Sequence, residues 1–224
     1  MSDIEKHERV HEMLLGPLER PALQWLSARL PAWMTPDVLT LIGIFGSIAT
    51  FAGYWAAKVD KNFLWLASLG FVINWFGDSL DGTIARYRKI ERPKYGYFID
   101  HTVDSFSMVL VFTGLGLSPY VRLDIACLAL VGYLLMSVLT YVEAYVSGKF
   151  QLSYAKVGPT EMRLIAICAN LAIYFLGNPI VNSTFVDLTV FDLIVGIIAL
   201  LLFLAFVVTT FTKAMYWREI DKPK

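Results

Sequence analysis

Apolar residues run through most of this chain in long blocks, and charged residues collect between the blocks. A helix needs roughly 20 apolar residues to cross a bilayer core. Six segments approach that length: 37–57, 62–80, 98–118, 123–147, 161–178 and 186–211. The fifth is short, and the second and third are interrupted by aspartates. The pattern predicts an all-α polytopic membrane protein with six transmembrane helices and an N-terminal cytoplasmic surface helix. Residues 1–36 form the juxtamembrane helical segment, 37–212 the transmembrane domain and 213–224 a cytoplasmic tail.

In the lead-in, Leu14, Leu18, Ala22, Trp25 and Leu26 are spaced for one face of a helix. Such a helix suits the membrane surface, with Pro17, Pro21 and Pro31 expected to break it into short pieces. The run Met34-Thr35-Pro36-Asp37 reads as a stop followed by a fresh helix start. A signal peptide is not expected, because no small-residue cleavage site follows a short apolar core. Tyr216 and Trp217 in the tail suit a membrane interface.

Composition agrees with the pattern. Hydrophobic residues make up 57% of the chain and charged residues 17%, against about a quarter charged in soluble domains. With six spans, the N-terminus, the loops after the second and fourth spans and the C-terminus share one side. Of the 19 Lys and Arg, all but Lys58, Lys61 and Arg122 fall there. The positive-inside bias makes that side cytoplasmic, so both termini and the loop Tyr87–Tyr97 face the cytoplasm, at an inner or plasma membrane in a bacterium. A formal net charge of zero argues against nucleic acid as a partner. Cys127 and Cys168 lie inside apolar spans and are expected to pack there, with no disulfide framework or redox site.

Two short motifs mislead. His7-Glu8-Arg9-Val10-His11 matches the H-E-x-x-H zinc-protease pattern. Such a site needs a third ligand and a closed pocket, and the only other histidine is His101; a solvated helix face is the expectation. The sequon Asn182-Ser183-Thr184 is of a kind that arises often by chance.

Four carboxylates carry the chemistry: Asp78, Asp81, Asp100 and Asp104. An ionised Asp at mid-membrane costs about 2.5–3.5 kcal/mol on insertion scales, so four approach ~10 kcal/mol, a whole domain's stability. Carboxylates in such a setting mark function. Asp78 and Asp81 stand at i, i+3, and Asp100 and Asp104 at i, i+4, so each pair shares a helix face. A short connection is expected to make the two helices antiparallel neighbours whose four carboxylates converge. Hard oxygen ligands of this kind suit Mg²⁺ or Mn²⁺, with two ions expected. Gly82, Ala85 and Gly96 are small and leave room for a ligand. Arg86, at the membrane edge, suits a phosphate oxygen. A diphosphate is the substrate this set can hold, because the cations reverse the sign of the site.

Asp78-x-x-Asp81-Gly82-x-x-Ala85-Arg86, nine residues, then Gly96-x-x-x-Asp100-x-x-x-Asp104 resembles the signature of the CDP-alcohol phosphotransferases, also called CDP-alcohol phosphatidyltransferases. The spacer of nine is one longer than the commonest form. The resemblance implies a six-helix homodimer that displaces CMP from a CDP-linked lipid or alcohol, with an acceptor alcohol as nucleophile, in phospholipid biosynthesis. It implies that Asp78, Asp81 and Asp100 hold the ions, with Asp104 completing the site and acting as general base. Gly82, Ala85 and Arg86 would contact the CDP moiety, and Gly96 would allow close helix approach.

The acceptor is less legible. Lys156, Glu161 and Arg163 lie on the motif's side and could line a pocket for a phosphorylated alcohol. Equally, Gly158-Pro159-Thr160-Glu161 could be an ordinary helix start. Glu143 is a further candidate liner. Chain length leans toward enzymes that use CDP-diacylglycerol. His101, directly after Asp100, resembles the choline and ethanolamine phosphotransferase branch, where the donor is a CDP-amino-alcohol and the acceptor diacylglycerol. Two rival classes use similar residues. An intramembrane prenyltransferase, faintly suggested by Asn74 before Asp78, would need Asp motifs on widely separated helices. An ion-coupled transporter would not need Gly82, Ala85 and Arg86 at fixed offsets. Small residues in the first span, Gly43 and Ser47 among them, permit close packing between helices.

Overall fold

The structure is a computed structural model, and it describes residues 14–147, 158–181 and 187–221. It is all-α apart from one tiny ribbon. The helices are α1 (Gly16–Ser27), α2 (Pro36–Ala56), α3 (Phe63–Arg88), α4 (Pro93–Gly116), α5 (Leu123–Ser147), α6 (Pro159–Leu176) and α7 (Val190–Ile220). Between α6 and α7, β1 (Ile180–Val181) pairs antiparallel with β2 (Leu188–Thr189). Five of the helices, α2, α3, α5, α6 and α7, are long and apolar enough to cross a membrane. The sixth long helix, α4, has 24 residues, but Lys94, Asp100 and Asp104 lower its apolarity. The zinc-like motif His7–His11, Lys156 and the sequon lie outside the described residues.

Three helices, α3, α4 and α7, run longer than their hydropathy blocks. The second block, expected to stop at residue 80, continues as α3 to Arg88, and α4 begins five residues before the expected 98. Most of the expected loop Tyr87–Tyr97 is therefore helical. Hydropathy tracks lipid, whereas a helix continues past the lipid edge as long as its backbone bonds are made. α3 stops at Lys89, which takes the left-handed conformation (φ 56°) and returns its N–H to Ala85 and Arg86. A non-glycine residue in that region is uncommon.

α2 and α3 pack backbone to backbone. A Cβ added at Gly46 would lie 2.3 Å from the Asn74 nitrogen, and one at Gly77 would lie 2.3 Å from the Gly43 nitrogen. Only glycine admits such an approach. Asn74 uses it, donating from Nδ2 to the Gly43 carbonyl and to Ser47 Oγ, each at 3.0 Å. The small residues of the first span are thus occupied within the chain. Further along, Tyr54 donates to Asn170 Oδ1 (2.9 Å) and Asn170 Nδ2 donates to Ser68 Oγ (3.1 Å), pinning α6 to the same pair. Buried polar groups matched in this way avoid the penalty of an unmade bond in an apolar setting.

The expected α3–α4 pairing is corrected. Although joined by a short turn, both helices pack on α2 far more than on each other, and α4 also leans on α5. The space between them is where the aspartates meet. Cys127 and Cys168 are exposed at the surface of the fold and do not pack in its interior.

α1 is also not as expected. Pro21 sits inside a continuous 12-residue helix. An inner proline removes one backbone bond, and here the affected turn is exposed. Leu23 is the buried anchor, packed with Leu39, Leu80 and Ile84, while Leu14, Leu18 and Trp25 point away from the protein. Met34–Asp37 does start a new helix: Thr35 Oγ1 accepts from the Val38 N–H at 3.3 Å, and Pro36 follows. Arg88 fastens the α1–α2 linker by donating to the carbonyls of Leu30, Pro31, Ala32 and Met34 at 2.7–3.3 Å.

Candidate active site

All four motif aspartates line one narrow cavity of about 10 Å³, together with Thr40, Gly43, Asn74 and Val103. That volume is close to the room of one water molecule. α3 supplies Asp78 and Asp81, α4 supplies Asp100 and Asp104, and α2 forms the back wall. Asp78, Asp100 and Asp104 each offer an oxygen within 4.8 Å of the others. Asp81 stands slightly apart. Its Oδ2 accepts from Thr40 Oγ1 at 2.7 Å and its Oδ1 from the Gly82 N–H. Those two bonds fix the carboxylate's direction.

Three hard oxygen donors this close could hold a divalent cation. Without a cation they repel one another in a setting that screens poorly. The residues therefore fit the divalent ion that the motif implies.

Arg163, from α6, reaches the cluster. Its Nη2 donates to Asp78 Oδ2 at 2.6 Å, in a pair whose side chains are 9% and 20% exposed. Its Nη1 is buried with no hydrogen-bond partner among the described residues. The residue was expected to line an acceptor pocket, and the structure places it against a motif carboxylate.

Glu161, expected either to line a pocket or to belong to an ordinary helix start, is held at the start of α6. It is 7% exposed, and both oxygens are engaged: Oε1 accepts from the Leu15 N–H (2.8 Å) and Oε2 from the Gly158 N–H (2.9 Å). It caps α6 and ties α1 to it. Glu143 is likewise engaged, by Lys213 Nζ (2.7 Å) and Trp217 Nε1 (3.1 Å) on α7. A Cβ added at Gly96 would meet nothing within 4 Å among the described residues. Helix approach does not explain that glycine, although open space for a ligand remains. Gly82 and Ala85 lie half-buried on α3, and Arg86 is exposed with Nη2 donating to Thr83 Oγ1 at 3.3 Å.

Sequence reasoning missed two contributors. Thr40, an isolated hydroxyl in an apolar block, orients Asp81. Glu19, on α1, accepts three bonds at a single oxygen: from Trp75 Nε1 (2.7 Å), Ser79 Oγ (3.1 Å) and Thr160 Oγ1 (2.8 Å). Ser79 adjoins Asp78, and Thr160 lies one turn before Arg163. Glu19 thus holds α3 and α6 in register beside the site. A carboxylate in a polar lead-in gives no sequence signal for that task.

The model of one protein family, CDP-alcohol phosphatidyltransferase, matches residues 33–212. The chain belongs to this family. The matched stretch takes in every long helix from α2 to α6 and most of α7. Among similar proteins, cholinephosphotransferase 1 of Gallus gallus is 33% identical over 179 residues, which cover 75% of this chain and 51% of the relative. The phosphatidylinositol phosphate synthase of Cutibacterium acnes is 36% identical over 91 residues, 40% of this chain and 41% of the relative. The archaetidylinositol phosphate synthase of Pyrococcus horikoshii is 31% identical over 105 residues, 46% of this chain and 52% of the relative. The chain spans about half the length of the cholinephosphotransferases it matches. Membership in the CDP-alcohol phosphatidyltransferases gives the cluster of aspartates its chemical context.

Proposed function

We propose that the chain transfers a phosphatidyl or phospho-alcohol group from a CDP-alcohol to an acceptor alcohol, releasing CMP, as a metal-dependent step of phospholipid biosynthesis. The observation that carries this reading is the convergence of Asp78, Asp100 and Asp104 at one cavity in a chain of this family. CDP-diacylglycerol is the leading donor, with Arg163 available to a phosphorylated acceptor. A second reading, a CDP-amino-alcohol donor with diacylglycerol as acceptor, is favoured by the longer matches to cholinephosphotransferases. It also draws support from the aromatic group beside Asp100, where the His101 ring lies 4.2 Å from that of Tyr97 and 5.1 Å from that of Tyr141; such faces suit a quaternary ammonium.

Asp78, Asp81, Asp100 and Asp104 would hold Mg²⁺ or Mn²⁺, two ions in the full complex. When bound, the cation neutralises the diphosphate and stabilises CMP as leaving group. The protein's own part is positioning and proton transfer. Thr40 and the Gly82 N–H hold Asp81 in direction. Gly82, Ala85 and Gly96 leave room for the nucleotide, and Arg86 is a donor for its phosphates. The acceptor oxygen bonds to the β-phosphorus as the bond from that phosphorus to the CMP oxygen breaks. Asp104 takes the hydroxyl proton as attack proceeds, and alignment supplies much of the rate.

In this reading α4 is the sixth span, the motif end of the helices faces the cytoplasm, and the lipid substrate enters from the leaflet. The exposed apolar face of α1, with Leu14, Leu18 and Trp25, rests on the membrane surface. The working unit is a homodimer. The test is CMP release by the purified chain with Mn²⁺, from CDP-diacylglycerol with a panel of alcohols and from CDP-choline with diacylglycerol. The productive pair identifies donor and acceptor, and no CMP from any pair refutes the reading.

A further inference from the structure

Arg163 is in an unusual position for a buried arginine. Its Nη2 is bonded to Asp78 at 2.6 Å, while its Nη1 is buried with no hydrogen-bond partner among the described residues. A guanidinium kept only as a structural lock would have its buried N–H groups satisfied, because an unmade bond there is costly. Asp78 in turn belongs to the trio whose oxygens lie within 4.8 Å of one another. A cation at that trio would take up the same carboxylate that Arg163 now neutralises.

We infer that Arg163 and a divalent cation are alternative counter-charges for Asp78: the guanidinium occupies the carboxylate until the metal arrives, and the metal expels it. This rests on the reading of the aspartates as a metal site. Three features make the exchange physically simple. The unpartnered Nη1 means that the present pairing leaves donors of the guanidinium unused. The backbone of α6 is held, because Thr160, three residues before Arg163, is bonded to Glu19, and Glu161 is bonded to Leu15. The movement is therefore confined to the long side chain. And the two positive groups compete for one carboxylate, since a dication at the trio and a guanidinium 2.6 Å from one of its oxygens repel each other across a weakly screening medium. The exchange also sets an order. Cation uptake comes first, and it leaves a desolvated guanidinium at the edge of the cavity with its donors open to an anionic oxygen.

The test measures metal binding without turnover. The full chain in nanodiscs, stripped of divalent ions and free of nucleotide, is titrated with Mn²⁺, and free Mn²⁺ is read by electron paramagnetic resonance. Arg163→Met should bind Mn²⁺ at least tenfold more tightly than the wild type, and Arg163→Lys should fall between them. Metal-free Arg163→Met should melt below the metal-free wild type, because its carboxylates are left uncompensated, and Mn²⁺ should recover more of its stability than it adds to the wild type. Equal or weaker Mn²⁺ binding by Arg163→Met overturns the exchange. If that variant does not fold, Arg163→Lys decides alone: tighter binding supports the exchange, and unchanged or weaker binding overturns it. Absence of Mn²⁺ binding by the wild type and both variants would instead defeat the metal reading itself, and the exchange with it.

Discussion

Gly77 is the residue whose replacement should separate a close-packed site from a merely plausible one. It directly precedes Asp78, and a Cβ there would lie 2.3 Å from the Gly43 nitrogen and 2.4 Å from the Leu39 carbonyl oxygen. Ordinary contact begins near 3.4 Å, so Gly77→Ala forces α2 and α3 apart by about 1.1 Å at that level. Both obstacles are backbone atoms, and no rotamer change can relieve them. Overpacking of this kind costs about 1–3 kcal/mol. The intrinsic gain of Ala over Gly in a helix, ~1 kcal/mol at most, offsets part of it. Separation also stretches the 2.7 Å bond from Thr40 to Asp81, and a 1 Å misplacement can reduce turnover about 100-fold. The assay pairs thermal unfolding in nanodiscs with CMP release. Gly196→Ala is the control, since its Cβ meets only Ile125 Cγ2 at 3.9 Å on a helix far from the site in sequence; it should leave both readings unchanged or gain slightly in stability. Wild-type melting and turnover in Gly77→Ala would refute the claim that glycine contact between α2 and α3 sets the site.

Other expectations can be checked alongside. Asp104→Asn should keep CDP-lipid binding but lose transfer by about 10²–10⁴-fold; near-normal turnover would remove Asp104 from the base role. Thr40→Val, nearly isosteric, should lower turnover through Asp81 while costing about 1 kcal/mol of stability, and unchanged kinetics would mean that Asp81 needs no such orientation. Arg88→Ala should release four linker carbonyls and increase protease cutting between residues 28 and 35, with a loss of about 1–3 kcal/mol. Chelation of divalent ions should abolish CMP release, with recovery on adding Mn²⁺ or Mg²⁺; activity that survives chelation would contradict the proposed chemistry.

Much of the site could be read from the chain because its information is local. The i, i+3 and i, i+4 offsets of the aspartates depend only on helix geometry, and the small residues and arginine between them follow on the same turns. The long apolar blocks gave the helices for the same reason. Features that depend on what lies across a gap were not legible. Glu161 could have been a ligand or a cap, and the choice turns on the Leu15 N–H, 146 positions away. Arg163 could only be assigned to Asp78 once α6 was seen against α3. Helix ends were misjudged because hydropathy marks where lipid stops, and Pro21 was misjudged because its cost depends on whether the freed carbonyl is wet. The pairing of α3 with α4 was inferred from a short connection, yet small residues on α2 offered the closer contact.

The way α4 is held has a consequence for reading relatives. Its placement comes mainly from its packing on α2 and α5, to which Arg92, the last residue of the joint to α3, adds an ion pair with Asp37 at the start of α2. A residue gained or lost in that joint would leave the second half of the signature in phase, so the two halves should be aligned as separate words, with no fixed distance demanded between them.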